Sequence, residues 1–330
     1  MRFGPVDLQD AEGAILAHSL EADGKRLRKG TVLDADGVER LRKSGYASVI
    51  AARLDPDDLP EDEAAKIIGT ALAAPGLTLG PVFTGRVNLE AAAPGVVEVD
   101  AWAIADFNAV DEGLTLATLP DLLRVDAGQL VATVKVIPYC LPAAVVSAGK
   151  DALGRQPIRL HPFAGGRAQL ILTRTDGFKE SLLKKGEDVV RTRVEALNYN
   201  LAESRITEHE ESEVAAALDP SADLILILGA SATSDRADVA PAAVVRAGGR
   251  IDRFGMPVDP GNLLFLGELK GTPVVGLPGC ARSPALNGVD WVLERISAGI
   301  PVDGDGIARM GVGGLLKEMP GRPQPRQPKR

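Results

Sequence analysis

Small and polar residues that directly follow apolar segments are the positions of this chain best suited to bind a ligand. Gly229, Ala230 and Ser231 follow a run of five apolar residues, and the backbone N–H groups of such a turn suit a phosphate or another anion. Farther along, Arg282 and Ser283 follow a Pro-Gly turn and could add a bidentate cation and a hydroxyl donor near a helix start. The alternative is that glycine and proline simply mark surface turns, as they do in most loops.

Three aspartates, Asp176, Asp235 and Asp238, lie in loops after predicted strands or at predicted helix starts. Their carboxylate oxygens suit Mg²⁺, which usually takes one or two protein carboxylates together with substrate phosphates and water. The structural alternatives stay open. Asp238 is placed to cap a helix, an interaction worth about 1 kcal/mol, and Asp176 stands in what could be an ordinary Asp-Gly turn.

The elements that must position these loops alternate between strand and helix after residue 157. Residues 224–228 read Leu-Ile-Leu-Ile-Leu, a run too short for a normal helix and typical of a strand covered on both faces. Right-handed crossovers between such strands predict an α/β fold built on a doubly wound, mostly parallel sheet. The predicted strands are 168–173, 201–206, 224–228, 251–254, 263–266 and 273–277, and the predicted helices are 181–197, 211–218, a helix from 238 to the glycines at 248–249, and 284–298.

Changes in pattern along the chain predict four segments. Residues 1–76 are interpreted as a small mixed α+β domain and residues 77–157 as a β-rich domain, followed by the α/β domain at 158–318. Residues 319–330 are rich in proline and basic residues and are interpreted as a tail or linker.

Composition narrows the class of protein. The chain has 330 residues, a formal net charge of −8 and a sequence pI of about 5.1, which argues against nucleic acid as the main partner. Its two cysteines cannot form a disulfide framework and fit a reducing cytosol. Neither a signal peptide nor an apolar run of the ~20 residues that a membrane span needs is expected. We therefore expect a cytoplasmic protein without a membrane partner.

Other catalytic motifs fit the chain poorly. Residues 229–233 resemble the G-x-S-x-G elbow of α/β hydrolases except at the last position, and that fold needs a histidine after the nucleophile. The histidines, His18, His161 and His209, all precede Ser231, which makes a serine hydrolase a poor fit. These histidines and two distant cysteines form no zinc pattern, and we interpret the histidines as ordinary, partly exposed residues.

Four stretches, in order, resemble the molybdopterin-binding domain shared by molybdopterin adenylyltransferases and molybdopterin molybdotransferases. They are residues 173–177 (Thr-Arg-Thr-Asp-Gly), 229–238, 259–261 (Asp-Pro-Gly) and 277–283 (Leu-Pro-Gly-Cys-Ala-Arg-Ser). The resemblance covers roughly residues 165 to 300. Each motif is weak alone, but the four in order are fairly specific.

The first 60 residues resemble the molybdotransferases more faintly, through residues 30–33 and 41–49. As a whole, the chain is most similar to the amino-terminal half of bacterial proteins in which such a domain is fused to a cofactor nucleotidyltransferase. The resemblance implies a homodimer and a fused or separate nucleotidyltransferase partner.

The resemblance also implies a function in molybdenum cofactor biosynthesis. It would be a transferase activity that cleaves adenylyl-molybdopterin and inserts molybdate with the help of Mg²⁺. The catalytic candidates are then Asp176, Asp235 and Asp238, and the metal candidates are Asp176 and Asp238. The residues assigned to binding of molybdopterin or adenylyl-molybdopterin are Gly229, Ala230, Ser231, Pro260, Gly261, Pro278, Gly279, Arg282 and Ser283.

A non-catalytic module that presents the finished cofactor to a cytidylyl- or guanylyltransferase is the alternative. The chain departs from the family pattern at three places: Ala230 replaces a glycine, Asp259 replaces a lysine, and residues 280–281 read Cys-Ala instead of Asn-Pro. The second and third departures favour this alternative. An acid in place of a lysine should weaken binding of an anionic ligand. The retained aspartates favour the enzyme. A nucleotide-binding α/β domain with no pterin ligand is a third, weaker interpretation.

Overall fold

The structure, a computed structural model, describes residues 1–318. It divides the chain into two compact units, Met1–Leu160 and a second unit that begins at His161. The division falls close to the start predicted for the α/β domain. The tail predicted at 319–330 lies outside the described residues.

The first unit contains short strands and four helices. Its strands are β1 (Arg2–Asp7), β2 (Ile15–Leu16), β3 (Leu20–Ala22), β4 (Lys25–Leu27), β5 (Ser48–Arg53), β6 (Asp58–Pro60), β7 (Leu77–Leu79), β8 (Arg86–Ala91), β9 (Gly95–Val99), β10 (Leu114–Thr118), β11 (Leu123–Val125), β12 (Leu130–Val136), β13 (Cys140–Pro142) and β14 (Ile158–Pro162). Its helices are α1 (Ala35–Lys43), α2 (Glu61–Ala71), α3 (Ala101–Asn108) and α4 (Ala143–Ala152). The larger sheets have the orders β1-β5-β2, β10-β12-β8-β7 and β11-β9-β14.

Two separate groups of buried apolar side chains fill this unit. One draws on residues 8–51 and the other on residues 64–160. Helix α2 lies in the second group, although the sequence interpretation placed it in the domain 1–76. Ala64, Ala65 and Ile68 are fully buried there, and a Cβ at Gly69 would lie 2.8 Å from a methyl group of β8, so tight packing fixes the helix against that sheet.

Helix α4 lies just before the boundary predicted at residue 157. Gly149 lies inside this helix, and a Cβ there would approach Leu114 to 2.7 Å and Phe107 to 3.3 Å. The glycine therefore allows close packing between elements, which outweighs its low helix propensity.

The second unit surrounds one six-stranded sheet. Its strands are β15 (Gly166–Arg174), β16 (Tyr199–Glu208), β17 (Leu224–Leu228), β18 (Arg250–Phe254), β19 (Phe265–Leu269) and β20 (Thr272–Leu277). Its helices are α5 (Glu180–Glu195), α6 (Glu211–Ala217), α7 (Val239–Arg246), α8 (Gly288–Ser297) and α9 (Gly304–Arg309). Every strand predicted for this region is present, and β17 has the predicted bounds.

The sheet is mixed, with the order β16-β15-β17-β20-β19-β18. The first four strands are parallel, whereas β19 and β18 join antiparallel. The predicted doubly wound, mostly parallel sheet is therefore not confirmed; the unit is α/β with a mixed sheet. Lys270 and Gly271 explain the change of direction, since both have positive φ (51° and 91°) and form the two-residue loop of a hairpin.

Helices cover both faces of the parallel strands. Ile171, Ile225 and Ile227 lie in a buried cluster with residues of α6 and α7. Leu172 and Leu228 point to the opposite face, because side chains alternate along a strand, and they approach Gly186 of α5. Among the helices of residues 1–318, none has the length and apolar character that crossing a membrane requires.

Candidate functional site

The candidate site lies at the carboxyl edge of the parallel strands in the second unit. Strands β16, β15, β17 and β20 run in one direction, so the loops that follow them emerge at the same edge of the sheet. In open α/β sheets this is the edge where ligands bind. Residues 175–179, 209–210, 229–238 and 278–287 form these loops.

A buried threonine connects three of the strand ends. The Oγ1 atom of Thr173, a fully buried side chain, accepts a hydrogen bond from the Ala230 amide at 2.7 Å and lies 2.8 Å from Nδ1 of His209. The His209 amide donates to the carbonyl of Arg174 at 2.8 Å. Thr173 thus occupies the Ala230 amide, and the role of Ala230 in ligand binding stays a prediction.

The guanidinium of Arg282 reaches the first turn of the candidate site. Its Nη2 donates to the carbonyl of Gly229 at 2.7 Å, and its central carbon lies 5.8 Å from the centre of the Phe178 ring. Its Nε is buried and has no hydrogen-bond partner. Burial lowers the pKa of the Arg282 guanidinium from its usual value. Within residues 1–318, no aspartate or glutamate forms an ion pair with this cation.

A second arginine holds the loop that carries Arg282. The guanidinium of Arg193 donates to Oδ1 of Asp290 at 2.7 Å and to the carbonyls of Ala281 at 2.6 Å, Ser283 at 2.7 Å and Ala285 at 2.9 Å. Only 10% of the Arg193 side chain is exposed. These four hydrogen bonds tie residues 281–285 to α5 and to the first turn of α8.

The amides that remain available lie just after Ala230. Those of Ser231, Ala232 and Thr233 form no hydrogen bond with any residue of the described range. Together with the half-buried arginine, these donors can hold an anion in front of the turn. The role of Ser231 in ligand binding stays a prediction, and Gly229 contributes its carbonyl to Arg282.

The predicted catalytic aspartates differ in their surroundings. Asp238 accepts hydrogen bonds from the amides of Val239 at 2.8 Å and Ser234 at 3.1 Å, so it caps α7. Asp235 accepts from the Ala237 amide at 2.8 Å. Asp176 is exposed and forms no hydrogen bond with residues 1–318. The capping alternative describes Asp238 well.

These carboxylates do not fit a preformed magnesium site. Both oxygens of Asp238 already accept amide hydrogen bonds from its own loop. Within the described part of the chain, no group of three or more histidine, cysteine, aspartate or glutamate side chains is arranged to hold a metal ion. Binding of metal by Asp176 and Asp238 stays a prediction.

The remaining predicted residues lie around the start of α8. The carbonyl of Pro260 accepts from the Gly288 amide at 2.8 Å, and a Cβ at Gly261 would lie 2.8 Å from the same nitrogen. This turn thus packs directly on the helix start and needs glycine to do so. Pro278 is buried at the end of β20. A Cβ at Gly279 would lie 3.8 Å from Nη1 of Arg282. The Oγ atom of Ser283 accepts a hydrogen bond from the Ala285 amide at 3.3 Å.

Lys317, distant in sequence, forms an ion pair with Asp259 at the start of the turn formed by residues 259–261. Nζ of Lys317 lies 3.1 Å from Oδ2 of Asp259. The backbone of residue 259 also bonds to Gly314 and Leu316, at 2.8 and 2.9 Å. The negative charge that the sequence interpretation expected to oppose an anionic ligand is therefore paired in the folded chain.

The sequence interpretation placed Thr173 in a motif without giving it a role, and it did not assign His209, Phe178, Arg193 or Lys317 to this region. A signal existed for two of them. Thr173 closes a predicted strand and His209 comes shortly after another, at positions that must meet if the strands are parallel. The other three could not be found because their contacts depend on helix and loop packing.

Comparisons with known proteins give distant similarities. Residues 5–53 match the family model described as a domain of unknown function, DUF8806. No curated protein matches the chain significantly. Among solved structures, the chain is similar to the molybdopterin biosynthesis MoeA protein from Pyrococcus horikosii, with 12% identity and a TM-score of 0.31 over 89% of this chain and 75% of that one. It is also similar to molybdenum cofactor biosynthesis protein B, with 13% identity and a TM-score of 0.27 over 40% of this chain and 86% of that one. Similarities this distant carry no argument about how this chain works.

Proposed function

We propose that the second unit binds molybdopterin or adenylyl-molybdopterin at the carboxyl edge of its sheet and takes part in inserting molybdate into the cofactor. The observation that carries this proposal is the unpaired, half-buried cation of Arg282 beside the turn at Gly229. The four motif stretches that resemble the molybdopterin-binding domain support the choice of ligand.

The physical argument starts from the cost of an unpaired charge. A guanidinium removed from water without a counter-charge destabilises the folded state, and burial does lower the pKa of Arg282. A phosphate bound in front of residues 231–233 would supply that counter-charge and accept hydrogen bonds from their amides. The ring of Phe178 gives the same region an apolar surface.

Molybdate would be the co-substrate of the enzyme, and magnesium would enter with the phosphorylated ligand. The protein's own contribution in this proposal is to bind and orient the phosphate through Arg282 and the free amides. No proton transfer is assigned to Asp235 or Asp238, because their carboxylates accept hydrogen bonds from the backbone of their own loop.

The hydrogen bonds that Asp235 and Asp238 accept from their own loop favour a second function from another class. A module that binds the finished cofactor and presents it to a nucleotidyltransferase needs the anion-binding residues but no free catalytic carboxylate. Asp238, whose carboxylate caps α7, fits this module better than the enzyme. A homodimer and a fused or separate nucleotidyltransferase belong to the same proposal.

The deciding experiment incubates the full chain with adenylyl-molybdopterin, molybdate and Mg²⁺ and measures both binding and release of AMP. Arg282→Ala should weaken binding at least tenfold, the loss of about one charge-assisted hydrogen bond. Arg246→Ala is the matched control. Arg246 lies at the end of α7 and pairs with Glu211 of α6 on the exposed surface.

The outcomes separate the two functions. Binding with AMP release supports the molybdotransferase, and binding without release supports the presenting module. If the wild-type chain does not bind adenylyl-molybdopterin, or if Arg282→Ala binds it as tightly as Arg246→Ala, the proposed site is wrong.

A further inference from the structure

We infer that His209 donates a hydrogen bond from Nε2 to the anion bound beside Arg282, and that Thr173 fixes the ring in the tautomer that makes this possible. The inference rests on the proposed function, since both need an anion at this edge of the sheet. It adds a ligand contact from a residue that the sequence motifs do not include.

The position of the ring supports this role. A Cβ built on Gly229 would lie 3.7 Å from Cε1 of His209, so the ring lies against the same glycine whose carbonyl accepts from Arg282 at 2.7 Å. Cε1 stands between the two ring nitrogens. The imidazole and the guanidinium therefore both border the turn in front of which the anion is proposed to bind.

Only one ring nitrogen is used by the protein. Nδ1 lies 2.8 Å from Oγ1 of Thr173. Nε2 forms no hydrogen bond with residues 1–318, and it is not among the buried side-chain atoms that lack a partner. It is therefore not completely buried, and no described residue occupies it.

The hydrogen bonds of Thr173 assign the tautomer. Oγ1 accepts from the Ala230 amide at 2.7 Å, and the side chain is fully buried. Within the described residues, Nδ1 of His209 is the acceptor in reach of the hydroxyl proton, so the hydroxyl donates to Nδ1. A neutral imidazole then carries its proton on Nε2, and that N–H is a donor fixed in direction before any ligand binds.

A purely structural histidine would need only the bond to Thr173. Asparagine can reproduce that bond, because its amide reaches about as far as Nδ1, whereas glutamine places its amide near the position of Nε2. The pair His209→Asn and His209→Gln thus separates the structural role from the ligand contact.

The test uses the full chain labelled with ¹⁵N in histidine and inorganic sulfate as the probe anion. His209→Asn identifies the His209 resonances among the three histidines. We expect Nε2 to carry the proton in the free protein and its N–H signal to move when sulfate is added. We also expect His209→Asn to weaken sulfate binding about tenfold and His209→Gln to weaken it less, as for the loss of a hydrogen bond to a charged group.

A second pair of variants tests the tautomer. Thr173→Val should remove the preference for the Nε2–H form, whereas Thr173→Ser should keep it. Thermal unfolding of each variant identifies any that fails to fold, and the serine and glutamine variants keep the inference testable in that case.

The two claims fail in different ways. If sulfate binding depends on Arg282 but is unchanged in His209→Asn, or if Nδ1 carries the proton, the inference about His209 is wrong and the anion site remains. If sulfate moves no His209 signal at all, this inference is also wrong, and the pterin-binding experiment decides the proposed function independently.

Discussion

Replacing Arg193 with methionine is expected to be the most damaging single change near the candidate site. The guanidinium makes four hydrogen bonds, to Asp290, Ala281, Ser283 and Ala285, at 2.6 to 2.9 Å. Methionine keeps much of the apolar stem but leaves a carboxylate and three carbonyls without this donor.

The expected loss follows from the burial of the pair. The Arg193 and Asp290 side chains are only 10% and 15% exposed, and removing one partner of a buried ion pair typically costs about 3–5 kcal/mol. Each hydrogen bond to a charged group contributes ~1.5–3 kcal/mol, but bonds to one guanidinium are not additive. We therefore expect the free energy of unfolding of the second unit to fall by about 3–5 kcal/mol.

Urea unfolding followed by tryptophan fluorescence can measure this change. Trp102 lies in the first unit and is 82% exposed, so Trp102→Phe should leave stability nearly unchanged. In that background Trp291 of α8 is the remaining tryptophan and reports on the second unit. With a slope of ~2 kcal/mol per molar urea, Arg193→Met should lower the midpoint by about 2 M.

A neighbouring arginine provides the control. Arg191 also lies on α5, is 37% exposed and pairs with Glu187 at 2.9 Å. Exposed pairs contribute about 1 kcal/mol or less, so Arg191→Met should have a small effect. If the two variants unfold at the same urea concentration, the proposed role of Arg193 in holding residues 281–285 is refuted.

Three further predictions concern packing, thiol chemistry and acid stability. Gly276→Ala should destabilise the second unit by about 1–3 kcal/mol, because its Cβ would lie 2.0 Å from a buried phenylalanine ring. A Cβ at Gly304 would meet nothing within 4 Å, so Gly304→Ala should not destabilise the unit. Thermal unfolding compares the two variants. Burial raises the pKa of Cys140 to about 12, so its thiolate is scarce at pH 8. Alkylation at that pH should therefore modify the exposed Cys280 first. Mass spectrometry of the alkylated native protein measures this order. Hydrogen bonds from a serine and an arginine lower the pKa of Asp219 to about 2. Its contribution to stability is therefore present above the ordinary pKa and lost as the pH falls toward 2, so the stability difference between wild type and Asp219→Asn should shrink over that range.

The predicted secondary structure of the second unit was largely correct because its signals are local. Leu224–Leu228 is a short apolar run between an aspartate and a glycine, and a buried strand is the structure that satisfies both its length and its composition. Asp238 marks the start of α7 in the sequence and caps it in the structure. Strand pairing beyond the local sequence produced the main difference, which is the antiparallel addition of β19 and β18.

The candidate site was only partly predictable. Gly229 and Arg282 were both assigned to ligand binding, and the carbonyl of Gly229 accepts a hydrogen bond of 2.7 Å from Arg282. The histidines were interpreted as ordinary residues, yet His209 joins Thr173 at the same edge. Its importance depends on a partner 36 positions away in the sequence, and composition and spacing carry no information about such a pair.

The sequence by itself determined where the strands of the second unit and the start of α7 lie, because these follow from apolar runs and from residues with strong local preferences. The tertiary structure alone decided which groups are free to meet a ligand. It assigned the Ala230 amide to Thr173, the oxygens of Asp238 to α7, and Lys317 to Asp259. A donor, an acceptor or a charged group can bind a ligand only if no other group of the protein already pairs with it. Those pairings form only when distant segments of the chain fold against each other.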